Sequence, residues 1–224
     1  MIKILIIIVL FLGISNFANS QRLEYKLKAG GVKLGDFKLE KHVFNDTTIY
    51  LLKSKVTLNF LFTKHIVDYS SLTIYYKGIL IDARVKAVEN GELDKSSITT
   101  KTKKGYHVSI YDDEEKKEYN FSHSGIKYSS TRLFFEQPVL TDSSYAELYG
   151  NFGDFEQKEP NRLVITNQKS GSETEYFYEN STPVKRKIEY PIVDFVMYLI
   201  SNTTVRRSKE SIYLEYYGKK TSNP

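Results

Sequence analysis

Four histidines, His42, His65, His107 and His123, are the side chains over which proton transfer or metal chemistry near neutral pH would run. None stands at an HxH or HxxxH spacing, and no carboxylate follows at the distance a zinc hydrolase needs. A metal site would have to be assembled across strands; histidines at the surface or at strand ends are the simpler reading. There is no cysteine, which excludes zinc–thiolate centres, iron–sulfur clusters and a thiol nucleophile. Serine is abundant, but no G-x-S-x-G elbow presents one as a nucleophile. A cross-strand Ser/His/acid set is left open, and nothing selects one. Asp112, Asp113, Glu114 and Glu115 could hold a hard cation, yet the lysines behind them and the missing EF-hand pattern favour a solvated loop. Paired carboxylates for glycoside cleavage would have to face each other across a cleft, which spacing does not establish. The GGVKLG stretch, residues 30–35, precedes no helix signal and no GK[ST], so a hairpin turn with a bulge fits it better than a phosphate loop. N-x-[ST] sequons at Asn45, Asn120, Asn180 and Asn202 matter only in a eukaryotic secretory route. The expectation is a protein that is not an enzyme and that takes no cofactor and no metal.

The elements that would position a site are strands. The 224 residues favour one domain and permit two, and 41% apolar content with 18 Tyr and 13 Phe is enough for a substantial core. Tyr and Phe fit pleated, half-buried surfaces. Residues 66–111 organise the rest. Lys77-Gly78, Asn90-Gly91 and Lys104-Gly105 punctuate them, and Asn-Gly between alternating segments is a strong hairpin signal, because both central residues of a type I′ turn need φ > 0. Ile79, Ile81, Ala83, Val85 and Ala87 alternate with Asp82, Arg84 and Lys86, which predicts one buried and one wet face. Residues 22–28 and 32–43 form the first two strands. A long third strand carries Leu52, Val56, Leu58, Phe60 and Phe62 on one face. Residues 92–103 are poor in large apolar side chains and rich in lysine, which suits an edge or solvent-exposed strand.

The pattern breaks at residues 123–125. Ser129 or Ser130 can cap a short helix that runs through Glu136 and stops at Pro138, with Leu133, Phe134 and Phe135 as a plug for an open sheet. A helix turns about 100° per residue, so one of Phe134 and Phe135 should be deep and the other at a rim. Residues 145–152, 162–167, 173–179 and 184–190 form a second meander. Residues 192–200 read as a buried strand, with a short helix as the alternative, and residues 212–217 as an added strand or a loosely held tail. The fold class expected is all-β: a curved antiparallel meander sheet or half-open barrel with one short helix.

The first twenty residues differ from the rest. Lys3 precedes an apolar run over residues 4–14, and Ala18-Asn19-Ser20 supplies small residues for a peptidase. Residues 1–20 are therefore read as a secretory signal cleaved after Ser20, residues 21–200 as one all-β domain, and residues 201–224 as a C-terminal extension. The alternative, a retained anchor, is disfavoured because the run falls short of the ~20 apolar residues a spanning helix needs. Net charge is +5, the charges are interspersed, and the nearest basic clusters are Arg206-Arg207 and Lys219-Lys220, so nucleic acid is not an expected partner.

Several of these segments resemble a family of uncharacterised exported bacterial proteins, a domain of unknown function. The residues that carry the resemblance are Val32-Lys33-Leu34-Gly35, the turn from Asp46 to Tyr50, the SSTRLFFEQP segment from Ser129 to Pro138, Glu147 to Gly150, and Tyr190 to Val193. The resemblance implies a curved sheet loosely similar to periplasmic lipoprotein carriers, and no catalytic residues. Together these readings predict a periplasmic or secreted, non-enzymatic envelope protein without a membrane span once the signal is removed. Its concave face would hold a lipid or other apolar ligand against Phe60, Phe62, Leu133, Phe134 and Phe135. The plainer alternative is that this face is simply core. The second reading is a structural or interaction module with an envelope protein partner. It would add a strand along residues 92–103 or along the tail after residue 200.

Overall fold

The computed structural model describes residues 20–60, 63–140, 142–189 and 193–218, without the side chain of Phe60. The segment before Ser20 that reads as a secretory signal, Phe62 and the Tyr190-Pro191-Ile192 motif lie outside the described residues. Fifteen strands follow one another: β1 Ser20–Ala29, β2 Val32–Phe44, β3 Thr47–Phe60, β4 Thr63–Tyr76, β5 Ile79–Glu89, β6 Glu92–Lys101, β7 Gly105–Asp112, β8 Glu115–Ser122, β9 Tyr128–Ser129, β10 Ser143–Ala146, β11 Asn151–Glu159, β12 Arg162–Asn167, β13 Glu173–Glu179, β14 Thr182–Ile188 and β15 Phe195–Thr204. A 3-10 turn at Arg132–Phe134 and a helix, α1, at Lys209–Tyr217 complete the described elements.

All the strands belong to one open, curved sheet in the order β8-β7-β6-β5-β4-β3-β2-β1-β15-β14-β13-β12-β11-β10-β9. Pairing is antiparallel throughout except between β9 and β10. Two meanders are thus joined where the first strand pairs with the last, Leu23 opposite Asn202 and Leu27 opposite Met197. The sheet does not close into a barrel. Its two ends meet through side chains instead: the Tyr119 hydroxyl donates to Gly150 O at 2.5 Å, and Phe121 packs edge-on against Phe152 at 5.7 Å.

The Asn90-Gly91 turn forms as its residues demand, with φ of 52° and 94°. Beside it, β5 departs from simple alternation. A bulge at Ile81 sets Leu80 opposite Tyr75 and Asp82 opposite Ile74. Leu80 therefore enters the core, fully buried, while Ile81 packs on the other face against the cluster around Ile74. The extra residue shifts the phase of the pleat, which periodicity cannot foresee.

Strand β6 is not an edge. It lies between β5 and β7, and the lysine-bearing β8 is the edge on that side. Its apolar Leu93 and Ile98 are exposed, whereas Ser97 and Thr99 are buried. The inner face is polar here because both hydroxyls have partners: Ser97 donates to Glu147 O, and Thr99 bonds the Tyr145 hydroxyl at 2.8 Å. Residues 145–152 are not one strand either. Residues 147–150 turn between β10 and β11, closed by Gly150 N–H donating to Ala146 O at 2.9 Å. Strand β15 begins at Phe195, and within it only Met197 is buried, so the last apolar run is mostly a surface strand.

Residues 209–217 form a helix, not a strand or a loose tail. The Ser208 hydroxyl caps it by accepting the Ser211 N–H at 3.1 Å. Ile212 is fully buried on the convex face among Ile49, Leu51, Leu72 and Ile74. That contact explains the unbroken apolar run Ile49 to Leu52: Tyr50 and Leu52 face the main core while Ile49 and Leu51 face the helix.

Candidate functional site

Inside the curve of the sheet sits the segment after β8. The expected short helix is a single 3-10 turn that ends before Glu136, with Thr131 at its N-cap and no side-chain cap bond, so neither Ser129 nor Ser130 caps it. Side chains on the sheet hold it instead. Arg132 donates to Gly78 O (3.0 Å), Lys127 O (2.6 Å) and Glu136 Oε2 (2.9 Å), and lies over the Tyr75 ring at 4.9 Å. Tyr50 donates to Glu136 Oε1 at 2.7 Å, and Tyr178 to Leu133 O at 3.2 Å. Burial works against the Glu136 charge, but the Arg132 and Tyr50 hydrogen bonds keep its carboxyl below the usual range.

Leu133, Phe134 and Phe135 are all buried, at 0%, 1% and 5% exposure, so neither Phe lies at a rim. The tight turn points three successive side chains in three directions, and the curved sheet surrounds the segment on those sides. Leu133 joins Leu163, Tyr176 and Tyr178, Phe134 meets Tyr25 edge-on at 5.4 Å, and Phe135 meets Tyr50 at 5.4 Å.

The plug does not fill the concave face. A cavity of about 580 Å³ remains between it and the strand ends nearest the β3–β4 hairpin and the β10–β11 turn. Phe37, Leu58, Val67, Ile165, Ile188 and Phe195 line it and are only half-buried. A filled core would bury such side chains completely; these keep part of their surface uncovered. Phe134 closes one wall, whereas Leu133 and Phe135 do not line it. Phe60 ends β3, whose inner residues Leu52, Val56 and Leu58 line the cavity; its side chain, like Phe62, is outside the described residues.

The polar groups of this cavity were missed at the level of sequence. Arg186, on β14, lies over the rings of Phe134 (5.1 Å) and Tyr176 (5.0 Å), and its Nε is buried without a hydrogen-bond partner. Glu147 is buried, and its Oε1 accepts the Thr131 N–H at 3.0 Å. Tyr69, on β4, lines the same cavity and feels both charges. Burial pushes its hydroxyl up, Glu147 pushes the same way, and Arg186 pulls it down. In the sequence Arg186 looks like one more basic residue of the VKRK stretch, and only the curvature turns it inward.

The histidines are dispersed. His107 pairs with Asn120 at 3.1 Å, His65 with Glu89, and His123 stacks on Phe152 at 5.4 Å. Among the described residues no group of three or more His, Asp or Glu side chains is placed to hold a metal ion. One Ser/His/acid set does come together: His42 Nδ1 lies 3.1 Å from Ser20 Oγ and Nε2 lies 2.9 Å from Glu40 Oε2. It is buried on the convex side, not in the cavity, and Glu40 also accepts from Arg22 (2.6 Å) and Arg207 (3.3 Å). Three cationic or polar partners on one carboxylate make a clamp between β1, β2 and the segment before α1, and Ser20 is out of a substrate's reach.

Residues 25–197 match the model of a family described as a domain of unknown function, DUF6134. No curated protein matches the chain.

Proposed function

Since the chain belongs to the DUF6134 domain-of-unknown-function family, its cavity has to carry the functional reading, and we propose that it is an exported, non-enzymatic protein that holds an apolar ligand inside its curved sheet. The observation that supports this is the cavity of about 580 Å³ with half-buried aliphatic and aromatic walls. It falls within the roughly 300–1,000 Å³ common for small-molecule sites, which combine apolar walls with a few placed polar groups. Each buried methylene of a ligand would contribute about 0.8 kcal/mol. Ten would offer roughly 8 kcal/mol before the cost of ordering, enough for useful retention without any covalent chemistry. The export reading rests on residues 1–20, with a periplasmic or secreted destination. No helix among the described residues is long and apolar enough to cross a membrane.

The test is to purify the protein from an exporting bacterial host without detergent and examine it by native mass spectrometry. A co-purifying apolar molecule, or stoichiometric uptake of the neutral fluorophore N-phenyl-1-naphthylamine after delipidation, is expected. A protein that carries nothing and takes up no fluorophore would overturn the reading. N-terminal sequencing of the same preparation should show cleavage next to Ser20. An interaction module is less well supported: β6 lies inside the sheet, residues 209–217 are docked on its back, and the free edge β8 carries Lys116 and Lys117, which discourage strand addition.

A further inference from the structure

Resting on the cavity reading, we infer that the ligand is an amphipathic anion with a single acyl chain, its carboxylate or phosphate head bound by Arg186. Among the described residues the Arg186 side chain makes no ion pair and no hydrogen bond, and its Nε is buried. The other half-buried arginines among the described residues each have a carboxylate: Arg22 has Glu40, Arg132 has Glu136, Arg162 has Glu175, and Arg207 has Glu40 and Glu215. A guanidinium half withdrawn from water without an anion is unfavourable, and the two rings it lies against, Phe134 and Tyr176, compensate only in part. The planar donor fork is shaped for a two-oxygen acceptor.

The carboxylates nearest the cavity do not fill that role. Glu147 makes no ion pair with Arg186 and turns to the Thr131 amide, while Glu189 is exposed at the rim and pairs with Lys187 at 3.1 Å. Much of the remaining wall, Phe37, Leu58, Val67, Ile165, Ile188 and Phe195, is apolar and suits the chain rather than the head. Charge complementarity therefore selects an anion, and one cationic group beside one cavity selects one head and one chain.

The experiment is competition against N-phenyl-1-naphthylamine, a neutral probe that reports the cavity without using Arg186. Oleate and oleyl alcohol, which share a chain and differ in the head, are titrated against the wild-type protein, R186Q and R186K. Oleoyl lysophosphatidic acid is added to separate a phosphate head from a carboxylate. In the wild type an anion should displace the probe at a concentration at least tenfold lower than the alcohol, and the advantage should persist at high salt because the contact is shielded. R186Q should still bind the probe and lose the advantage; R186K should keep part of it. Equal competition by both anions and the alcohol would overturn the anionic head while the cavity reading stands. Failure of the wild type to bind the neutral probe would overturn both. The wild-type ratio is decisive even if R186Q fails to fold.

Discussion

Leu133, Phe134 and Phe135 test the plug one side chain at a time. Each is at least 95% buried, and each packs in a different neighbourhood. Truncation to Ala should therefore cost about 2–5 kcal/mol for Leu133 and about 3–5 kcal/mol for each Phe, read from urea unfolding. Near-equal costs would separate this arrangement from a helix with one deep and one peripheral ring; a cost below 1 kcal/mol at any of the three would contradict it. Glu40 gives a pH test. Burial opposes its charge, but hydrogen bonds from His42 and Arg22 outweigh that and hold the carboxyl at about 2 against an ordinary 4.5. A depressed folded value means the stabilisation is complete above pH 4.5 and disappears as pH falls towards 2. Glu40→Gln should lower stability by about 1–2 kcal/mol at pH 7, a figure discounted for the 38% exposure of Arg22. Stability curves of wild type and variant should converge near pH 2; a gap independent of pH would mean the clamp is not electrostatic.

At the scale of elements, the hairpins and the sheet's curvature carry the energetic argument. The β7–β8 turn is built from Asp113 (φ 49°) and Glu114 (φ 65°), a pair of L-residues in left-handed conformation. Glu114→Gly should stabilise the protein by about 0.5–1 kcal/mol, measured as a rise in Tm, because glycine adopts that φ without a Cβ penalty. A fall in Tm would show that the Glu114 side chain contributes more than its backbone conformation costs. On β2, a Cβ at Gly35 would lie 2.2 Å from Lys55 O on the neighbouring strand. Gly35→Ala should force β2 away from β3 where Val56 lines the cavity, and both Tm and probe uptake should fall together. The sequence announced these two strands and a turn with a bulge over residues 30–35, and the register of β1 with β2 does shift there, with Leu34 as the extra residue; it could not show that the glycine serves a close approach between strands.

For the whole molecule, α1 is the part whose removal leaves the sheet's hydrogen bonds intact. A chain ending at residue 206 keeps all of β15 but uncovers Ile49, Leu51, Leu72 and Ile74 on the convex face. It also loses the Arg207 contacts to Glu40 and Glu215. The truncated protein should bind a surface hydrophobic dye and self-associate, while its far-UV spectrum stays that of a sheet. A monomer of unchanged Tm would mean that the helix is dispensable. The pairing of β1 with β15 makes the contacts between chain ends decisive, so folding should be slow, in the millisecond-to-second range by stopped flow.

By itself the sequence determined the all-β class, most of the strands, the Asn90-Gly91 hairpin, the family resemblance, and the importance of the Leu133 to Phe135 segment. Those features are local: they depend on alternation, on turn residues that need φ > 0, and on a break in the pattern. Only the tertiary structure decided that β6 lies inside the sheet, that residues 209–217 are a helix, and that Ser97 and Thr99 face inward while Ile98 faces water. In each case a distant partner overrides the local preference: Tyr145 and Glu147 satisfy the hydroxyls of β6, and Ile49, Leu51, Leu72 and Ile74 receive Ile212. Arg186 shows the limit most clearly. Its place in a polar strand predicts a solvated charge, and only the curvature of a sheet that joins its first strand to its last turns that charge towards the cavity.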